Sequence, residues 1–253
     1  MQRSLTYADG ATPLTGELFI PAGKARAAVL LLPTIAGANA PMLRRAERLR
    51  DLGYLTLIAD YYGAPTTAMG GTLSPQDGAE ALRGDWTAYR ARLAAGYNAL
   101  SALDLAARLP LAVIGYCMGG QAALELARMG KAMMAAVSFH GILSTERPVE
   151  AGTTLPPMLI CHGHLDPMVP PEQVRGFEAE MDGAGARYSI HSYAKAKHGF
   201  TDPGSDARGI PAIAYDAEAD AQSWSAMLTF FAIHVHQGET APSACAPMER
   251  ENR

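Results

Sequence analysis

Five short apolar runs constrain what this chain can fold into: Ala27–Leu32, Tyr54–Ala59, Leu111–Gly115, Ala135–Phe139 and Met158–Cys161. Runs of this length without polar alternation suit strands buried on both faces, the habit of parallel sheets. A sixth, Arg187–Tyr193, is more polar and is expected nearer an edge. Two strand-like pieces precede them, Arg3–Tyr7 and Gly16–Ile20, separated by Ala8-Asp9-Gly10 and Pro13. Helical patterns fill the gaps. Asn39 and Pro41 read as the cap and first-turn proline of a helix over Met42–Leu52, stopped by Gly53. Asp85–Leu109, Gln121–Met129, Pro171–Met181 and Ala217–His236 supply four more. Strand and helix alternate, so the fold class is α/β, a mainly parallel central sheet with helices on both faces.

With 253 residues, 49% hydrophobic and 18% charged, the chain has material for one sizeable core and too little charge for disorder. We expect a single domain over residues 1–237. Within it the stretch 61–84, rich in Gly, Pro and Thr, is too long for an ordinary connection and reads as a lid-like loop. Residues 238–253, polar with Pro242 and Pro247, read as a flexible tail. No stretch approaches the ~18 uncharged apolar residues of a spanning helix. Met1–Leu5 leads directly into strand-like sequence, so neither a membrane span nor a secretory signal is expected. Lys+Arg 21 against Asp+Glu 25 gives a net charge of −4 with no basic run, which argues against a nucleic-acid partner. The three cysteines, Cys117, Cys161 and Cys245, are far apart and form no C-x-x-C, so neither a disulfide framework nor a thiolate zinc site is indicated. The expectation is a cytoplasmic protein with free thiols.

One of those thiols stands in a particular setting. The strand pattern Leu111–Gly115 runs into Gly115-Tyr116-Cys117-Met118-Gly119-Gly120-Gln121, and a helix pattern follows. This is the form of the G-x-S-x-G nucleophile elbow with Cys in place of Ser. A side chain projecting from so sharp a turn strains its own backbone and needs nearly side-chain-free neighbours two residues either side. The helix that follows offers free N–H groups and a positive dipole end, which lower a thiol pKa and stabilise an oxyanion. The Met118 amide is the expected first oxyanion donor. Taken alone, the pattern also fits a buried structural cysteine in a glycine-rich turn.

Its partners follow in the order nucleophile, acid, histidine. The strand Met158–Cys161 ends in His162-Gly163-His164-Leu165-Asp166-Pro167, which puts Asp166 on the edge where open α/β sheets place their sites. Past the next strand comes Lys197-His198-Gly199-Phe200, and His198 fits the base. His140, His162, His164 and His191 are competitors for that role. A lone Asp before Pro also organises turns, and a loop His is often only solvated. His162-x-His164-x-Asp166 resembles the start of a dinuclear zinc hydrolase motif, but Pro167 stands where a further His is wanted, so no metal is expected.

These residues make the chain resemble the dienelactone hydrolase family of α/β-hydrolases from about Gly16 to His236. The resemblance rests on Gly115-Tyr116-Cys117-Met118-Gly119-Gly120, the Gly163–Asp166–Pro167 loop and His198-Gly199-Phe200. Gly37-x-Asn39, and Gly53-Tyr54 with Ala59-Asp60-Tyr61-Tyr62-Gly63, support it. It implies a Cys-His-Asp hydrolase of small-molecule esters or lactones with no metal or organic cofactor, and a second oxyanion amide near Ile35. Two departures bear on the substrate. The family Glu that pairs with the resting thiol is replaced by Thr34, and Asp202 follows His198 where the family has an Arg for the substrate carboxylate. Arg83 and Arg90 are the candidates to take that Arg's place.

The expected chemistry is attack by Cys117 on an ester or lactone, neutral or shaped differently from dienelactone, through a thioester. Tyr61, Tyr62, Met69, Trp86 and Phe200, with Thr34 and Arg83, are the candidate substrate contacts. Taken singly, each of Tyr61, Tyr62, Met69, Trp86 and Phe200 reads first as ordinary packing, as is expected of Trp224, Phe230 and Phe231 on the last helix. Thioesterase or acyl-transferase activity on the same residues, and a non-catalytic small-molecule-binding scaffold, are the alternatives.

Overall fold

The structure, a computed structural model, describes residues 1–236; the expected tail 238–253, with Cys245, lies outside the described residues. One eight-stranded sheet forms the centre. β1 (Gln2–Asp9) and β2 (Thr12–Phe19) make an antiparallel hairpin at one edge, and β2 pairs antiparallel with β4 (Tyr54–Ile58). From β4 onward all pairings are parallel, through β3 (Ala27–Leu32), β5 (Leu111–Tyr116), β6 (Ala135–Phe139), β7 (Met158–Gly163) and β8 (Tyr188–Tyr193). The order is β1-β2-β4-β3-β5-β6-β7-β8. Every residue of β3, β4, β6 and β7 is buried, whereas the more polar β8 alternates at the far edge.

Helices cover both faces, because successive strand residues point to opposite sides. On one face, Val29, Leu31, Ile114 and Val137 meet α1 (Ala40–Asp51) and α6 (Ala217–His234) through Met42, Leu49, Trp224 and Phe231. On the other, Leu30, Leu32 and Val113 meet α2 (Pro75–Arg83), α3 (Trp86–Ser101) and α4 (Met118–Arg128). α5 (Pro171–Gly183) completes that face with Phe177 and Met181. No helix among the described residues is long and apolar enough to cross a membrane.

Three expectations are corrected. The stretch 61–84 is not all loop: it holds a 3-10 turn, Thr67–Met69, and the helix α2. Ser74 caps α2 through its Oγ, which accepts the Asp77 N–H at 3.3 Å, and Pro75 fits the first turn. The helix expected over Asp85–Leu109 ends at Ser101. Beyond it, Leu103, Ala106 and Leu109 each donate to the carbonyl three residues back, so tight turns carry the chain to Pro110. Helix α4 starts at Met118, three residues before the expected start, so that it abuts Cys117 directly.

After β4 the chain has filled one side of β3; α3 then returns it to β5 on the other side. The sheet therefore has its topological switch between β3 and β5, and the crevice at the C-terminal ends of those strands is where ligands bind in such sheets.

Candidate active site

Cys117 follows β5 directly and adopts φ 57°, ψ −119°. A non-glycine backbone in such a region costs of order 1–3 kcal/mol and persists only where its surroundings enforce it. Here the Cys117 N–H donates to Phe139 O at 3.0 Å, and Cys117 O accepts the N–H groups of Gly120 and Gln121 at 2.9 and 3.3 Å. The flanking glycines are steric necessities. A Cβ on Gly115 would lie 1.8 Å from Gly119 O, and one on Gly119 would lie 1.9 Å from Leu32 O. Strand, turn and helix thus close-pack around one projecting, half-buried thiol.

His198 and Asp166 meet that thiol from the ends of two other strands. His198 Nε2 lies 3.0 Å from Cys117 Sγ, and Nδ1 lies 2.7 Å from Asp166 Oδ2. The second Asp166 oxygen accepts the Met168 N–H at 2.8 Å, which fixes the carboxylate. The His198 backbone is held in turn by residues 212–214: its N–H donates to Ala212 O and its carbonyl accepts the Ala214 N–H, each at 3.2 Å. Burial pushes the Cys117 pKa up, but the charge and hydrogen bond of His198, the Met118 N–H and the Arg83 charge outweigh it, and the net shift is downward. For His198, burial disfavours the cation, while Cys117 and Asp166 favour it and raise its pKa to about 10. The two groups thus favour each other's charged forms, thiolate beside imidazolium.

Two backbone segments next to Cys117 carry the expected oxyanion amides. The Met118 N–H, on the first residue of α4, favours the thiolate. Beside it, at the end of neighbouring β3, residues 34–37 form a tight turn in which the Gly37 N–H donates to Thr34 O at 3.0 Å. Thr34 Oγ1 accepts the Ala36 N–H at 3.2 Å, so that hydroxyl closes the turn. The N–H groups of Ile35 and Thr34 have no acceptor among the described residues.

The other expected contacts divide. Arg83 and Trp86 line a cavity of about 550 Å³ with Gln121, Ile142, Ser144 and Glu146. Tyr61 and Phe200 do not reach a pocket surface. Phe200 is fully buried, its ring edge-on to His140 and tilted against Tyr193, and the buried Tyr61 spends its hydroxyl on Pro33 O. Tyr62 spends its own on Ile35 O and, with Met69, lines a separate cleft of about 260 Å³. Arg90 is taken up by Glu125 at 2.7 Å and Arg147 O, and Asp202 pairs with Arg208. Buried Cys161, its pKa raised to about 12 by burial, packs in the sheet. Among the described residues, no three His, Cys, Asp or Glu side chains gather as a metal site would need.

His140, expected only as a rival base, stands beside the site. It follows β6 at the same sheet edge, with φ 40° and its ring edge-on to His198 at 5.2 Å between centroids. Its Nε2 lies 2.9 Å from Thr201 Oγ1. Burial and the neighbouring His198 hold its pKa well below the usual histidine range, so it stays neutral beside the imidazolium. The signal that could have found it is its position just past a strand, shared with Cys117, Asp166 and His198.

Known proteins with this combination of fold and motif form a recognisable group. Residues 14–235 match the dienelactone hydrolase family. An uncharacterized protein of Caenorhabditis elegans is 34% identical over 145 residues, 55% of this chain and 89% of the relative. A carboxymethylenebutenolidase of Pseudomonas putida is 30% identical over 207 residues, 78% of this chain and 84% of that enzyme. The crystal structure of a dienelactone hydrolase-like promiscuous phosphotriesterase from metagenomic libraries is 34% identical, with a TM-score of 0.84 over 92% of this chain and 98% of that one. The chain is a hydrolase of α/β-hydrolase fold and belongs to the dienelactone hydrolase family.

Proposed function

We propose that the protein hydrolyses a neutral carboxylic ester or lactone, with Cys117 as nucleophile, His198 as acid and base and Asp166 as its orienting carboxylate. The observation that carries this is the continuous hydrogen-bonded line from Sγ to Nε2 at 3.0 Å and from Nδ1 to Oδ2 at 2.7 Å. The thiolate attacks the carbonyl carbon, and the oxyanion is received by the amides of Met118 and Ile35. His198 gives its proton to the leaving alkoxide as the thioester forms. Neutral His198 then takes a proton from water, the hydroxide adds to the thioester, and the acid leaves as the thiolate–imidazolium pair is restored. A working free thiolate suits a reducing compartment such as the cytoplasm.

The wall of the cavity of about 550 Å³ suits a neutral acyl group. Arg83 is there, but so are Glu80 and Glu146, and Asp202 in the loop after His198 is already paired. With two carboxylates to one guanidinium on that wall, a substrate carboxylate would meet more negative charge than positive.

The test is a panel of lactones, aryl esters and acyl thioesters with wild type and Cys117→Ala. The variant is expected to lose at least 10³-fold in turnover, as removal of a nucleophile does. Hydrolysis by Cys117→Ala at the wild-type rate on the same panel would refute the assignment. A second reading, phosphotriester cleavage at the same thiol, is favoured by the likeness to the promiscuous phosphotriesterase, so an aryl dialkyl phosphate belongs in the panel.

A further inference from the structure

The turn after β3 presents four consecutive carbonyls, Pro33 to Ala36. Thr34 O is bonded within the turn to the Gly37 N–H at 3.0 Å. Each of the other three accepts a hydroxyl from the segment that follows β4. Tyr61 donates to Pro33 O at 3.1 Å, Tyr62 to Ile35 O at 3.1 Å and Thr66 Oγ1 to Ala36 O at 2.7 Å. Peptide planes are rigid, so a carbonyl held at one end fixes the amide at the other. The Thr34–Gly37 bond fixes the plane that carries the Ile35 N–H. The Tyr62 and Thr66 bonds fix the next two planes, and the turn cannot rotate without breaking them.

The same segment closes over the turn from outside. Met69 Sδ lies 2.7 Å from where a Cβ on Gly37 would be, too close for a side chain there. Thr66 also bridges to Leu73, and the Thr67 N–H donates to Leu73 O at 2.8 Å, so the segment is a small closed loop anchored at Thr66. It leads into α2, which carries Arg83 to the cavity wall.

We infer that Tyr62 and Thr66 are positioning residues for the Ile35 amide, so that order in the 61–84 segment and stabilisation of the oxyanion are one equilibrium. This rests on the ester-hydrolase reading above. A donor already aimed costs no reorganisation when charge develops on the substrate oxygen. A substrate that packs against the closed segment therefore also sharpens the donor that receives its oxyanion. The two side chains touch the turn and not the reacting atoms.

Tyr62→Phe and Thr66→Val each remove one hydroxyl with little change in volume. The experiment measures steady-state hydrolysis of an aryl acetate and, in parallel, alkylation of Cys117 by iodoacetamide. Alkylation displaces iodide at a saturated carbon and forms no oxyanion. For each variant, kcat is expected to fall about tenfold, less than the 10²–10³ of a donor removed outright. KM should stay within twofold, and alkylation should keep the wild-type rate and pH profile, which also reports a folded site. A rise in KM at unchanged kcat would make Tyr62 a substrate contact and overturn the inference. Alkylation slowed in step with hydrolysis would overturn it too, since the effect would then lie on the thiol. Unchanged kcat in both variants of an active enzyme overturns this inference alone. A wild type that is alkylated but hydrolyses no ester overturns the ester-hydrolase reading and this inference with it.

Discussion

Cys117 is under opposing influences, and their balance decides how the protein reacts. Burial alone would raise its pKa, leaving a neutral and inert thiol, which is the fate of Cys161. The imidazolium at 3.0 Å, the Met118 N–H and the Arg83 charge reverse the sign. Alkylation by iodoacetamide should therefore already be fast well below the ordinary thiol pKa of ~8.5. It should fall only as acid protonates the thiolate of the pair. On the alkaline side, the pair is lost as pH rises through the His198 value of about 10, because a raised pKa confers its advantage only below it. An alkylation profile with a single rise near ~8.5 would mean that no ion pair exists. Cys117, Asp166 and His198 were legible because each follows a strand pattern, and Gly115 and Gly119 leave room for one conformation only. Tyr61 and Phe200 were not, since an aromatic residue in a loop looks the same whether it lines a pocket or packs behind one. Thr34 in place of a carboxylate was legible as a change. That its hydroxyl closes the turn depends on the backbone course of residues 34–36.

At the scale of elements, the strands were easier to see than the helix within residues 61–84. A buried strand announces itself by an unbroken apolar run, whereas α2 is short and lies among glycines, prolines and threonines. Its start was nonetheless written in Ser74-Pro75-Gln76-Asp77, a cap, a first-turn proline and an early acid. The far end of α3 was misjudged for the opposite reason: alanine and leucine continue past Ser101, but the chain must turn to enter β5. Since α2 is short and exposed along one side, its cap should matter locally. Ser74→Ala is expected to cost about 1 kcal/mol at that helix. Amide hydrogen exchange over residues 75–83 should quicken roughly fivefold by sub-global opening, with the strands unaffected. Unaltered protection across α2 would show that packing, not the cap, holds it.

Across the molecule, helix α4 is the common support. It begins at the nucleophile candidate, and every one of its residues is buried, including Glu125 and Arg128. Charges along a helix ordinarily form a solvated face. They are interior because α3 and α5 lie on either side of α4 over the sheet, a matter of strand order that no local pattern reveals. Glu125 joins Arg90 of α3 at 2.7 Å and Arg128 at 2.9 Å, and Arg128 reaches Glu180 of α5 at 2.7 Å and Leu143 O at 2.9 Å. Three helices are thus tied by a buried network whose members satisfy one another. Arg128→Met would leave Glu125 dependent on Arg90 alone and Leu143 O without its donor. Removing one partner of such a network costs about 3–5 kcal/mol, a large part of the roughly 5–15 kcal/mol by which domains are stable. The urea midpoint should drop accordingly. The folded fraction should keep the wild-type pH profile of Cys117 alkylation, because the elbow is fixed by its own backbone bonds to Phe139, Gly120 and Gln121. A midpoint unmoved by Arg128→Met would mean that water or neighbouring side chains replace the lost partner. A shifted alkylation profile would mean instead that the network, and not the turn alone, sets the geometry of the thiol.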